Sequence, residues 1–108
     1  MNLKSNNKIK SQIALSALRN VIDPEIGTNV VDLGLIYEID FDEKEKSIYC
    51  TMTLTTEYCP MGETILDAAT QALKYAMPEF EVEINLTFEP RWDYTMISEE
   101  AVKFLNAG

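Results

Sequence analysis

Histidine is absent from these 108 residues, and cysteine occurs only twice, as Cys50 and Cys59. Without histidine there is no Ser-His-Asp or Cys-His catalytic pair and no histidine-ligated zinc site. Two cysteines cannot form a disulfide framework. They also fall short of the four thiolates that usually hold an iron–sulfur cluster, so a cluster would need ligands from a second subunit, a partner or a small thiol. Basic residues are scarce as well. Nine lysines and arginines face 18 acids, for a net charge of −9. Four of the bases (Lys4, Lys8, Lys10 and Arg19) lie in residues 1–22, which hold no acid; the rest of the chain carries all 18 acids against five bases. Such a surface repels nucleic acid, whose binding depends on neutralising phosphates. It serves solubility first, and it is open to choosing a basic protein partner. No secretory or membrane-spanning run is legible, because charged and polar residues interrupt the early apolar positions Ile9, Ile13, Leu15 and Leu18. A cytoplasmic protein with reduced thiols is expected.

What the chain does contain is a globular amount of apolar residue, 46%, enough for one core and one domain over residues 1–108. Residues 1–7 are polar and expected to be frayed, with Ser5 or Asn7 able to cap a helix. Ile9, Ile13, Ala14, Ala17, Leu18 and Val21 recur with helical spacing over 8–22, and Pro24 stops that helix. A turn-rich stretch, 23–34, carries Asp23, Glu25 and Asp32. One strand follows from Leu35 to Phe41, with Leu35, Tyr37, Ile39 and Phe41 on one face. The charged run 42–46 makes a hairpin loop. A second strand runs from Ser47 to Thr56, with Ile48, Cys50, Met52 and Leu54 on one face and Tyr49, Thr51, Thr53 and Thr55 on the other.

A helix over 60–77 presents Ile65, Leu66, Ala69, Ala72, Leu73 and Ala76 as one stripe. A third strand, 80–88, turns Phe80, Val82, Ile84, Leu86 and Phe88 inward. Ser98 caps a short last helix with Glu99 and Glu100 in its first turn. The order α-β-β-α-β-α predicts a single α+β domain, with a mixed three-stranded sheet and helices mainly on one face.

Cys50 alternates with apolar neighbours and reads as a small buried hydrophobe. Cys59 falls outside that alternation, at a strand-to-helix junction. Pro60 beside it suits the first helical position. Helix-start N–H groups favour negative charge and lower a thiol pKa. Two readings stand for Cys59: a reactive or metal-ligating thiol, and a structural cysteine. Asp23, Glu25 and Asp32 are candidates for a metal or acid–base site, against local capping of turns. Thr55 and Thr56 precede the thiol and are equally open to simple strand propensity. Met61 and Gly62 follow it, and the glycine marks either a close approach or loose helix-start geometry. Arg91 and Trp92 read either as an interface anchor or as packing of the terminal segment.

Several separated motifs occur in a fixed order: Asp23-Pro24-Glu25, Asn29-Val30-Val31-Asp32-Leu33-Gly34-Leu35-Ile36-Tyr37, Met52-Thr53-Leu54-Thr55 leading to Cys59-Pro60, Pro90-Arg91-Trp92, and Met96-Ile97-Ser98-Glu99-Glu100-Ala101. In these the chain resembles the small iron–sulfur cluster assembly factors (metal–sulfur cluster biosynthesis domains), comprising SufT-type and PaaD-type bacterial proteins and the eukaryotic cytosolic iron–sulfur targeting subunit. The resemblance covers about residues 8–105. It implies a non-enzymatic auxiliary or adaptor factor that matures iron–sulfur proteins with scaffold, carrier or client proteins. It also implies that Cys59 is the reactive thiol, a transient ligand for iron or a cluster shared with a partner, with no permanently bound cofactor. Asp23, Glu25, Asp32, Thr55 and Thr56 would support it. A homodimer could join two Cys59 thiolates at one cluster. The chain departs from the family pattern at Thr56-Glu57-Tyr58, where members often carry proline or glycine, and near its end. The competing expectation is a thiol-dependent enzyme, with Cys59 as nucleophile and Asp23 or Glu25 as proton carrier.

Overall fold

Alternating β-branched, aromatic and aliphatic residues after Leu35 build the strands that organise the molecule. In the structure, a computed structural model describing residues 3–58 and 60–107, the elements run β1 (Lys4–Ser5), α1 (Lys8–Leu18), β2 (Ile22–Asp23), β3 (Thr28–Asn29), β4 (Ile36–Asp42), β5 (Ser47–Met52), α2 (Gly62–Ala76), β6 (Glu81–Leu86), a 3₁₀ turn (Tyr94–Met96) and α3 (Glu99–Ala107). The main sheet has the order β1-β4-β5-β6. β4 and β5 are antiparallel, while β1–β4 and β5–β6 are parallel. The α+β class and mixed sheet are as expected, and the sheet has a fourth strand. Lys4 and Ser5, in the stretch expected to be frayed, pair with Glu38 and Ile39.

β4 and β5 are joined by the charged hairpin. Asp42 Oδ1 accepts from the Lys44 and Glu45 N–H groups at 3.1 and 2.9 Å, and Lys46 turns the chain with φ +53°. The face of β5 that holds Ile48, Cys50 and Met52 is buried, as the alternation predicts, and α1 and α2 pack against each other over the core. Gly62, Ile65, Ala69 and Leu73 form the buried stripe of α2. Burial of each large aliphatic side chain contributes about 1.5–3 kcal/mol, which is why this stripe sets the helix orientation.

Several expectations are corrected. The first helix ends at Leu18, before Pro24 can act, because Val21 N–H already bonds back to Leu18 and Ile22–Asp23 pair with Thr28–Asn29. On that helix Ile9 and Ile13 are exposed, while Ser11, Ala14, Leu15 and Leu18 are buried. In β4 a bulge between Ile36 and Glu38 reverses the alternation. Ile36 pairs with Met52 and Ile39 with Cys50, which puts Ile36 on the core face and turns Tyr37 to the other. Finally, β5 ends at Met52, so Thr53 is not an outward strand residue; it is fully buried, and its N–H bonds the Leu35 carbonyl at 2.8 Å. Leu86 in β6 is likewise more exposed, at 39%, than an inward residue should be, because the sheet ends at that strand.

Both predicted caps form. Asn7 accepts from the Lys10 N–H, and Ser98 Oγ accepts from the Ala101 N–H at 3.1 Å.

Candidate functional site

The junction between β5 and α2 is positioned by a close approach of its two ends. A side chain at Gly62 would lie 2.9 Å from Leu54 Cδ1, so the missing Cβ lets Leu54 pack directly against the helix start. Residues 55–61 therefore form a short loop whose ends are pinned together in the core. Within it Thr56, Glu57, Tyr58, Pro60 and Met61 are exposed, Tyr58 by 87%. Thr56 Oγ1 accepts from the Tyr58 N–H at 3.2 Å. Cys59 belongs to this loop by sequence and lies outside the described residues.

The helix starts later than its proline predicts. Met61 is the N-cap residue, so Pro60 precedes the cap and does not occupy the first helical position. Met61 makes no side-chain cap bond, and the first N–H groups of α2 give this end a partial positive charge.

A second tether comes from far along the chain. Arg91 reaches Glu57 with a 3.1 Å ion pair between exposed side chains. Trp92, the next residue, is 9% exposed and donates its indole N–H to the Leu33 carbonyl at 2.6 Å. Of the two readings of Trp92, packing is the one its setting fits: the ring lies inside the fold, where burial satisfies both its apolar area and its single donor. Arg91 remains on the surface.

The acidic candidates have separate settings. Asp23 is fully buried at the end of β2. Its Oδ1 accepts from the Glu25 N–H at 2.9 Å, while Oδ2 has no hydrogen-bond partner among the described residues. The cross-strand neighbour Thr28 also has a buried, unpartnered hydroxyl. Asp32 is half-buried and bonded to Asn29 in both directions at 2.9 Å, and its carbonyl accepts from the Ser98 N–H at 2.7 Å. Of the two carboxylates offered as proton carriers, Glu25 is exposed and Asp23 has no solvent contact. Thr55 is half-buried beside the exposed Thr56. Among the described residues no group of three or more histidine, cysteine, aspartate or glutamate side chains could hold a metal ion. None of their helices is long and apolar enough to cross a membrane.

A groove of about 970 Å³ runs between β4 and the C-terminal segment, lined by Asp32, Tyr37, Thr51, Pro90, Met96 and Ser98 among others. Tyr37 is the residue the sequence reading missed here. Its hydroxyl donates to the Pro90 carbonyl at 2.7 Å and lies 3.6 Å from Met96 Sδ. Burial raises its pKa; a bond with Thr53 lowers it and the Asp93 charge raises it again. The bulge that redirects Tyr37 leaves no mark in the pattern of residue types. Cys50 is the inert thiol expected, fully buried and pushed up to about 12 by desolvation.

Fold and junction together define a small α+β protein with an exposed loop where strand passes to helix. The iron–sulfur cluster assembly protein family matches residues 11–86. A Porphyromonas gingivalis protein described as an Fe-S protein maturation auxiliary factor is 44% identical over 85 residues, covering 79% of this chain and 80% of the relative. The Fe-S protein maturation auxiliary factor YitW of Bacillus subtilis is 36% identical over 87 residues, covering 81% of this chain and 84% of its own. The crystal structure of a domain of unknown function, DUF59, from Bacillus anthracis superposes with a TM-score of 0.84 at 33% identity, covering 91% of this chain and 92% of that one. The chain belongs to the iron–sulfur cluster assembly protein family.

Proposed function

We propose that this chain is an auxiliary factor in the maturation of iron–sulfur proteins, and that Cys59 is its working group. The observation that carries the reading is the family match across residues 11–86, which includes the whole 55–61 loop, together with relatives named as maturation auxiliary factors. The loop's form supports it. Its ends are held by the Leu54–Gly62 contact and its middle by Glu57–Arg91, while its apolar residues Tyr58 and Met61 face solvent. A thiolate in that loop would be favoured by the partial positive charge at the start of α2.

In this reading Cys59 is a transient ligand for iron or a cluster in transit, or a docking thiol toward a client. The other ligands come from the scaffold, carrier or client, or from a second copy of the chain. Asp23, Glu25, Asp32, Thr55 and Thr56 shape the surrounding turns.

The test is maturation of an iron–sulfur client enzyme in cells whose own copy is replaced by Cys59→Ser. Client activity is expected to fall while the variant remains folded and abundant. Full client activity would defeat the thiol assignment. Anaerobic incubation of the pure protein with iron and sulfide separates the two roles: a Cys59-dependent absorbance band means ligation, and none means docking.

A further inference from the structure

The two edges of the main sheet are treated differently. On the β4 side the edge is closed. Lys4 and Ser5 pair with Glu38 and Ile39, and the Asn6 side chain then imitates a strand. Its amide N–H donates to the Phe41 carbonyl, and its oxygen accepts the Phe41 N–H, both at 2.9 Å. On the other side β6 is a six-residue strand bonded, among the described residues, only to β5.

Which groups β6 leaves unpaired follows from its register. The Glu81 N–H bonds the Lys46 carbonyl at 2.8 Å and the Thr87 N–H bonds the Met52 carbonyl at 2.9 Å. Odd-numbered residues thus turn their backbone toward β5, and Val82, Ile84 and Leu86 turn theirs toward the free edge. The side chains alternate as well. Glu81, Glu83 and Asn85 stand exposed on one face. Val82 and Ile84 are half-buried on the other, and Leu86 is 39% exposed there. Neither Glu81 nor Glu83 enters an ion pair among the described residues.

We propose that the free edge of β6 docks an extended segment of a partner protein, bearing lysine or arginine at alternate positions, as a fifth strand of the sheet. The backbone of Val82, Ile84 and Leu86 supplies the ladder. Directly opposed side chains in a strand pair lie about 4.5–5.5 Å apart, so alternate basic residues would meet Glu81 and Glu83. Apolar residues between them would extend the Val82, Ile84 and Leu86 surface. A second copy of this chain is a poor occupant: it would set Glu81 and Glu83 near their own counterparts on a molecule of net charge −9. The edge is separate from the 55–61 loop, and the proposal stands without any thiol chemistry.

The experiment is an amide NMR titration of the full chain with two short synthetic peptides, one alternating lysine with valine, the other glutamate with valine. The lysine peptide is expected to shift the Val82, Ile84 and Leu86 amides saturably, less so as salt rises. The glutamate peptide should not. Glu81→Lys with Glu83→Lys, both on exposed positions, should weaken the lysine peptide roughly tenfold and admit the glutamate one. Ile84→Pro removes an edge N–H without touching the β5 ladder and should abolish binding. The proposal is overturned by equal response to both peptides, or by no response at millimolar peptide. It is also overturned by shifts confined to Tyr49 and Thr51 on the open face, or by sedimentation showing that β6 pairs with a second copy instead.

Discussion

The Trp92 indole N–H donates to the carbonyl of Leu33 at 2.6 Å, across 59 residues of chain. That bond holds the segment after β6 against the turn-rich stretch before β4. Arg91 is next in line, so the same anchor sets where the Glu57 tether can reach. A residue outside the 55–61 loop therefore helps to place it.

Trp92→Phe keeps much of the ring and removes the donor. The Leu33 carbonyl, fixed in the core, would lose its partner. The expected loss of stability is about 1–3 kcal/mol, read as a lower urea midpoint with an unchanged slope. Thermal melting should show the same order for Trp92→Phe and Trp92→Ala, with the alanine variant clearly worse because it also loses ring burial.

Gly34→Ala should be among the most damaging single changes. Gly34 has φ +79°, and a Cβ there would run into the Met96 backbone carbonyl. Backbone strain and a steric overlap with main chain act together, so the C-terminal segment must move off. Gly27→Ala shares the positive φ, +83°, but has open space around it. It should cost far less, and comparing the two melting temperatures isolates the contact with Met96.

Asp23→Asn is expected to stabilise the fold. The buried Oδ2 of Asp23 has no partner among the described residues, while Oδ1 serves the Glu25 N–H. An amide keeps the Oδ1 acceptor and is always neutral, and a neutral group costs less to bury than a carboxylate. A gain of about 1 kcal/mol would raise the melting temperature by roughly 4–8 °C. A lower melting temperature would show that the carboxylate is balanced by the residues around it.

Cys50 predicts a loss of stability in alkali. Its folded pKa, about 12, is above the usual 9.0 because burial disfavours the thiolate. The unfolded chain thus releases this proton first. The contribution is fully present below about pH 9 and is lost as pH rises toward about 12, by about 1.4 kcal/mol per unit. Cys50→Ala should flatten that part of the pH–stability curve relative to wild type. Under native conditions at neutral pH, alkylation should spare Cys50 until the protein is unfolded.

Elements whose pattern depends on one kind of neighbour were readable in the sequence. The stripe Ile65, Ala69 and Leu73 and the row Ile48, Cys50 and Met52 each face a single core, so spacing alone reveals them. Caps at Asn7 and Ser98 rest on local chemistry and were equally plain. The bulge at Tyr37 was not, since it arises from pairing across β4 and β5; it sets Ile36 on the core face in place of Tyr37, while Ile39 and Phe41 beyond it face the core as expected. Nor were the two-residue strands, which owe their existence to partners elsewhere in the chain. For the candidate site, the loop was legible and its supports were not. Glu57 with Arg91, Leu54 with Gly62 and Trp92 with Leu33 are contacts between residues that look ordinary one at a time.

The Trp92 anchor also bears on how the protein is made. A growing chain on the ribosome can close the β4–β5 hairpin and lay down α2 from residues already in hand. Until Trp92 has emerged, Leu33 keeps an unanswered carbonyl and the wall that Met96 will cover stays open. Residues 92–96 complete a structure begun by residues 33 and 34, so this part of the core closes only once Trp92 is available.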